Sequence, residues 1–339
     1  MGRVMSATKD LYDITLIGAG PVGLFGVFYA GMRGMRTKII EALPEVGGQL
    51  TALYPEKDIF DVAGFPRIGA KRLVEQCKEQ ADRANPSASY VFNQRVERLT
   101  KLEDGTFELT THTGEQHYSK SVLITAGIGA FEPNRIPNET ARQYEGKGVF
   151  YSVTNLPQFQ DKRVLVVGGG DSAVDYALMT EPLAQEVTLI HRREGFRAHE
   201  ESLKKLAESS VHVKLFYELR AVHGDGNWVK QATIFDNRSG EEMTLDVDYV
   251  ILGTGFKASL GNMLEWGLEV ENKKQLVVNS KGETSIPGVY AAGDIAWYPG
   301  KIRLIATGFG EVATAVNNAK AYVDPGSAAF PGHSSEGKK

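Results

Sequence analysis

The sequence predicts an α/β fold with two doubly wound, parallel-sheet domains, one inserted into the other. A strand that runs into a glycine loop and then a helix occurs near the start of the chain and again in its middle. Two further turns, each a strand running into small residues, mark where the chain passes between the domains.

Asp13-Ile14-Thr15-Leu16-Ile17 is a short apolar strand leading straight into Gly18-Ala19-Gly20-Pro21-Val22-Gly23. A helical pattern follows through Leu24, Val27 and Phe28, and a second strand, Thr37 to Ile40, ends on Glu41. The scheme recurs at Arg163 to Val167, which runs into Gly168-Gly169-Gly170-Asp171-Ser172-Ala173. A helix from Val174 to Met179 comes next, and then a strand, Val187 to Ile190, ending on His191-Arg192-Arg193. Both are βαβ units with parallel strands, so each glycine loop falls at a strand-to-helix turn.

The two strand-to-turn pieces, Val122 to Gly127 and Tyr249 to Gly255, read as the crossings; Pro133 and Pro137 follow the first. That gives an outer domain of residues 1–130 and 251–323 around an inner domain of residues 131–250. The tail, residues 324–339, is rich in Pro, Gly and Ser and ends in charge, a loose extension by composition.

A lone G-x-G-x-x-G is weak evidence, because glycine turns are common. Here each copy has its strand, its helix and its second strand, the Rossmann-like context the motif requires. Gly18 and Gly168 make the turns, and Gly20 and Gly170 let backbone approach a pyrophosphate. Gly23, with Ala173 as the accepted variant in the second copy, lets helix and strand pack closely. Pro21 in one loop and Asp171 and Ser172 in the other open helices whose free N–H groups suit phosphate.

The ends of the second strands separate the two sites. Glu41 stands about 20 residues past the first glycines, where an acid accepts from a free adenosine ribose, as in FAD or NAD. The second site has no acid there but His191, Arg192 and Arg193, with Arg197 close behind. Guanidinium groups at that place suit the 2′-phosphate of NADPH; the plain alternative is a solvated basic loop. Gly293-Asp294 follows a short strand, Val289 to Ala292, and the acid can hold the ribityl chain of FAD. A helix starting near Leu304 and carrying Thr307, Gly308 and Phe309 could then point its dipole at the reduced flavin.

Composition narrows the function further. The chain has 339 residues, 42% hydrophobic and 24% charged, and its net charge of -4 argues against nucleic acid as the main partner. Cys77 is the only cysteine, so the chain has no internal disulfide, dithiol pair or thiolate metal cluster, and Cys77 is read as a core residue. Residues 1–10 lack the apolar run of a signal peptide and no segment is long enough to span a bilayer, which reads as cytoplasmic with no membrane partner. His112, His117, His199, His212 and His223 are scattered, and all five are expected to be solvated.

These residues together resemble the thioredoxin reductase-like branch of the two-dinucleotide-binding flavoproteins. The likeness runs from Asp13 to about Ala321 and rests on both glycine loops, Gly47-Gly48-Gln49-Leu50, His191-Arg192-Arg193 and Gly293-Asp294. The dithiol positions of a thioredoxin reductase fall on Ser152 and Asn155, neither of which can carry reducing equivalents. Within the branch the chain is similar to the ferredoxin–NADP reductase subgroup. The strings that say so are Leu50 to Lys57, Asp61 to Pro66, Tyr298-Pro299-Gly300-Lys301 and Phe330 to Ser335.

That resemblance implies FAD and NADP(H) as cofactors, with Gln49 and Thr307 beside the flavin and Tyr54 stacked on one face of it. It also implies a homodimer in which the partner's tail covers the other face with an aromatic residue, here Phe330. Hydride would pass from NADPH to flavin N5, and single electrons from there to ferredoxin or flavodoxin, with no acid–base residue and no metal site. An NADPH oxidase, diaphorase or monooxygenase remains the alternative, since Gly-Pro-Val-Gly also occurs in flavin hydroxylases.

Overall fold

The first strand of each βαβ unit is apolar without alternation, the pattern of a strand covered on both faces. In a computed structural model, which describes residues 10–329, these strands lie at the centres of two five-stranded parallel sheets. The first passage supplies β1 (Ile14–Ile17), α1 (Pro21–Met32), β2 (Thr37–Ile40), α2 (Ala70–Ala84), β3 (Ser89–Val91) and β4 (Val122–Ile124). The middle of the chain supplies β5 (Val149–Phe150), β6 (Arg163–Gly168), α3 (Asp171–Thr180), β7 (Glu186–His191), α4 (Glu200–Glu208), β8 (His212–Leu215) and β9 (Tyr249–Gly253). Last come β10 (Val289–Ala291) and α5 (Ile305–Val323).

The first sheet runs β10-β4-β1-β2-β3, every neighbour parallel, with Ile14 opposite Thr37 and Val122 opposite Thr15. The second runs β5-β9-β6-β7-β8, with Val164 opposite Val187 and Gly168 opposite Gly253. In both, the strand that feeds the glycine loop is central. Strand order reverses beside it, and the carboxyl end of such a reversal is where open α/β sheets take their ligands.

Alternate residues of the central strands feed two cores in each unit. In the first sheet Leu16, Ile39 and Leu123 meet Val27, Ala81 and Val312 from the helices, while Ile17, Ile40 and Ile124 meet an antiparallel layer through Phe107 and Leu109. In the second, Val164, Val166 and Leu189 meet Val174 and Leu206, while Leu165 and Ile190 meet Val222 and Ile234 of a three-stranded antiparallel layer. Truncating one such fully buried leucine to alanine costs about 2–5 kcal/mol.

The chain divides into two compact units. Among the described residues the first holds the chain up to Ala52, Lys57–Ala130 and the part from Ala258 on; the second holds Leu53–Glu56 and Phe131–Lys257. The return crossing thus falls at Ala258 rather than about Ile251. The reason is β9, which pairs with both β5 and β6 and so stays in the second sheet to its end.

Cys77 is buried on the inner stripe of α2 with Leu73, Val74 and Ala81. His112, His199, His212 and His223 are exposed. His117 is a correction: it is 2% exposed, with Nδ1 3.1 Å from Lys38 Nζ and Nε2 3.1 Å from Gln94 Oε1. The strand Gln116–Ser119 buries alternate residues, and its register turns His117 inward. Burial, and then the Lys38 ammonium, lower its pKa.

Candidate functional site: two glycine loops with different rims

In the first loop the three glycines are there for different reasons. A Cβ on Gly18, whose φ is +103°, would lie 2.7 Å from the Thr125 carbonyl oxygen, and one on Gly23 would lie 2.0 Å from the Gly18 carbonyl oxygen. The protein's own packing demands those two. At Gly20 the nearest atom to a Cβ is the Gly47 carbonyl oxygen, 4.0 Å away. The space over Gly20 is open to a ligand. Pro21 starts α1, where a fixed φ suits the first helical turn, and the Thr125 hydroxyl donates to the Gly18 carbonyl at 2.7 Å.

Glu41 closes the rim of this loop. Only 6% exposed, it accepts from the Ala19 N–H at 2.6 Å and from the Leu43 N–H at 2.9 Å, one on each oxygen. Burial raises its pKa against those backbone donors. A carboxylate has about four acceptor sites, so capacity remains for a ribose hydroxyl. Gln49 opens the short helix Gln49–Ala52. Its Nε2 would sit 3.0 Å from a Cβ on Gly127, so that glycine leaves room for the amide.

The Gly293-Asp294 turn follows β10, with Gly293 at φ +80°. Among the described residues none donates a hydrogen bond to the Asp294 carboxylate. Burial raises its pKa, and the Lys301 and Arg303 charges oppose that. A half-buried acid with vacant acceptor sites fits a chain of hydroxyls. The helix α5 begins at Ile305, with Thr307 half-buried in its first turn. Gly308 lets it approach: a Cβ there would lie 2.5 Å from Val22 Cγ2 and 3.3 Å from Gly293 Cα.

The second loop repeats the frame. A Cβ on Gly168 would meet the Gly253 carbonyl oxygen at 2.3 Å, while at Gly170 the nearest atom is the Arg197 carbonyl oxygen at 3.9 Å. Asp171, Ser172 and Ala173 form the first turn of α3, and buried Ala173 packs against Gly253. The basic segment lies alongside. The Arg197 N–H donates to the Gly169 carbonyl at 2.7 Å, and the Asp171 carboxylate accepts from the His199 N–H at 2.9 Å.

His191 has a role that the strand pattern does not reveal. Its ring covers Gly169, where a Cβ would lie 2.0 Å from it, stacks on Phe196 at 5.1 Å and sits 3.2 Å from the Gly195 carbonyl oxygen. Burial lowers its pKa against the bond to the Gly195 carbonyl, and the neighbouring Arg192 and Arg193 lower it further, which favours the neutral ring. Positive charge at this rim comes from Arg192, Arg193 and Arg197. All three are exposed, and among the described residues no carboxylate pairs with them.

Tyr54 lies half-buried in Leu53–Glu56, the stretch that groups with the second unit, where the Tyr176 hydroxyl is 3.4 Å from the Leu53 carbonyl oxygen. Phe330 lies outside the described residues. Sequence reasoning missed Glu311, the single acid of α5, whose carboxylate accepts from Gly293 N–H at 2.8 Å and Tyr298 OH at 2.7 Å and pairs with Lys301. An acid among small residues was the available signal. Among the described residues no group of His, Cys, Asp and Glu is arranged to hold a metal ion.

Two five-stranded parallel sheets with the glycine-loop strand central in each, and each loop open over its middle glycine, define a protein with two dinucleotide-binding folds. The profile of the pyridine nucleotide-disulphide oxidoreductase family matches residues 12–319, and the chain belongs to that family. A protein named ferredoxin–NADP reductase from Symbiobacterium thermophilum is 86% identical over 98% of this chain and 99% of its own length. Another of that name, from Halalkalibacterium halodurans, is 54% identical over 97% and 99%. Among solved structures, T. acidophilum thioredoxin reductase is similar with a TM-score of 0.75 and 26% identity, covering 94% of this chain and 100% of that one.

Proposed function

We infer that the chain is an FAD-dependent ferredoxin–NADP reductase. One observation carries this most directly: a thioredoxin reductase-like frame holds a single cysteine, Cys77, buried in α2 with its thiol pKa pushed up to about 11. No dithiol relay can operate, so electrons must leave from the flavin itself. The name carried by relatives at 86% and 54% identity agrees with that reading.

When bound, FAD would take two electrons from NADPH as a hydride and pass them on one at a time. The chain supplies placement. Gly18, Gly20, Pro21 and Gly23 cradle the FAD pyrophosphate, Glu41 accepts from its adenosine ribose and Asp294 from its ribityl hydroxyls. Gln49 and Thr307 line the flavin, and the first turn of α5 aims partial positive charge at it. Gly168, Gly170, Asp171, Ser172 and Ala173 hold the NADPH pyrophosphate, and Arg192, Arg193 and Arg197 pair with its 2′-phosphate. His191 shapes that loop as a neutral ring.

In this reading Tyr54 would stack on the flavin, and an aromatic residue of a second copy would cover the other side; Phe330, expected in that role, lies outside the described residues. This reading includes a homodimer; an open groove in the first unit, lined by Phe25, Phe28, Phe65 and Phe309, is a candidate surface for it. Flavodoxin is a second acceptor, since it too takes single electrons. No helix among the described residues is long and apolar enough to cross a membrane, and we place the protein in the cytoplasm. Steady-state turnover with NADPH and ferredoxin, flavodoxin, thioredoxin or oxygen tests the assignment. Rapid reduction of an iron–sulfur carrier is expected; rates no faster than with oxygen alone would overturn it.

A further inference from the structure

The Glu311 carboxylate ties two stretches of the first unit, the Gly293 turn and the segment from Tyr298 to Lys301, to one helix. Its Oε2 accepts from the Gly293 N–H at 2.8 Å, at the turn that presents Asp294. Its Oε1 accepts from the Tyr298 hydroxyl at 2.7 Å and pairs with the Lys301 ammonium. The pair is hidden, with side-chain exposures of 13% for Glu311 and 4% for Lys301.

The geometry explains why a charge is buried there. Residues 298–304 lead from the short strand Ala296–Trp297, just after the Gly293 turn, to the start of α5 at Ile305, and no helix or strand holds this connection. Lys301 pulls its middle back onto the second turn of α5, and Gly293 is held from the same carboxylate. Gly308 permits the approach, with a Cβ there only 3.3 Å from Gly293 Cα. Gln275 Nε2 adds a bond to the Asp294 carbonyl at 3.0 Å. A buried ion pair gives little net stability but fixes one arrangement, because breaking it leaves a charge unpaired.

We propose that Glu311 is a positioning residue for the flavin. Through Gly293 and Lys301 it locks the ribityl-binding turn and the N-terminus of α5 in one fixed relation. This rests on the FAD reading above. The two groups touched by that lock are the acid expected to bind the ribityl chain and the helix dipole expected to stabilise negative charge on the reduced flavin. Loosening it should weaken FAD binding and make the flavin harder to reduce.

The test uses the full-length protein carrying Glu311→Gln, and separately Lys301→Met and Tyr298→Phe, in case the first does not fold. The readouts are FAD retained after desalting, the FAD dissociation constant of reconstituted apoprotein, and the flavin midpoint potential. Binding of 2′,5′-ADP serves as a control on the second unit. In Glu311→Gln or Lys301→Met, FAD should dissociate roughly tenfold more readily, the loss of one charge-assisted bond. The potential should move negative, Tyr298→Phe should have a smaller effect, and 2′,5′-ADP binding should not change. Wild-type FAD affinity and potential in folded variants would overturn the proposal while leaving the FAD reading standing. A wild-type protein that binds no FAD would overturn both.

Discussion

The two glycine loops share one frame and differ at the rim. Each has an outer glycine that its own backbone requires, Gly18 against Thr125 and Gly168 against Gly253, and a middle glycine with open space beside it. The rim of the first is Glu41, buried and bonded to two backbone N–H groups. The rim of the second is a run of exposed arginines without acidic partners among the described residues. A buried, preorganised acid suits a cofactor that stays bound. Solvated guanidinium groups suit a substrate that arrives, reacts and leaves. On the proposed reading one central strand–loop–helix frame serves two residence times, with the difference set by a few residues after the second strand.

The largest effect is expected where that difference is erased. Replacing Arg192 and Arg193 together with alanine should raise KM for NADPH by roughly ten- to a hundredfold per residue, at about 1.5–3 kcal/mol for each charge-assisted bond. KM for NADH should hardly move. Equal losses with both coenzymes would show that the arginines serve the fold or the pyrophosphate instead.

The glycines sharpen the comparison next. Gly23→Ala drives a methyl into the Gly18 carbonyl and should cost about 1–3 kcal/mol of stability, read as a lower Tm of the FAD-free protein. Gly20→Ala meets nothing and should leave that Tm alone while weakening FAD binding. Its counterpart Gly170→Ala should weaken NADPH binding and leave FAD content unchanged. A Gly20→Ala protein that keeps FAD at wild-type affinity would remove the pyrophosphate from that loop.

Much of this was legible before any coordinates. Period, glycine spacing and the residue after each second strand are local signals, and they are enough to fix two βαβ units and assign a rim to each. What escaped depends on contacts distant in sequence. Whether Tyr249–Gly253 belongs to one sheet or the other is decided by its pairing with Val149–Phe150 and Arg163–Gly168. His117 reads as a surface residue until its strand register turns it inward onto Lys38. Glu311 is inconspicuous until Gly293, Tyr298 and Lys301 converge on it. His191 counts as a cation by position, yet its ring is engaged with Gly195 and Phe196.

The smallest effect belongs to the lone thiol. Cys77→Ala should cost ~1 kcal/mol of stability and leave ferredoxin turnover at the wild-type rate. With its pKa at about 11, the native thiol should resist a disulfide reagent at pH 8 and react once the protein is denatured. Loss of turnover in Cys77→Ala without loss of FAD would place a thiol on the electron path after all.

The difference between the two rims is tested most directly by calorimetric titration of the FAD-loaded protein with 2′,5′-ADP and, separately, with 5′-AMP. These fragments differ only in the 2′-phosphate. Tight binding of 2′,5′-ADP at one site per chain is expected, with 5′-AMP much weaker and the difference greatly reduced in the Arg192→Ala, Arg193→Ala protein. Equal affinity for the two fragments in the wild-type protein would contradict the assignment of the arginine rim to NADPH.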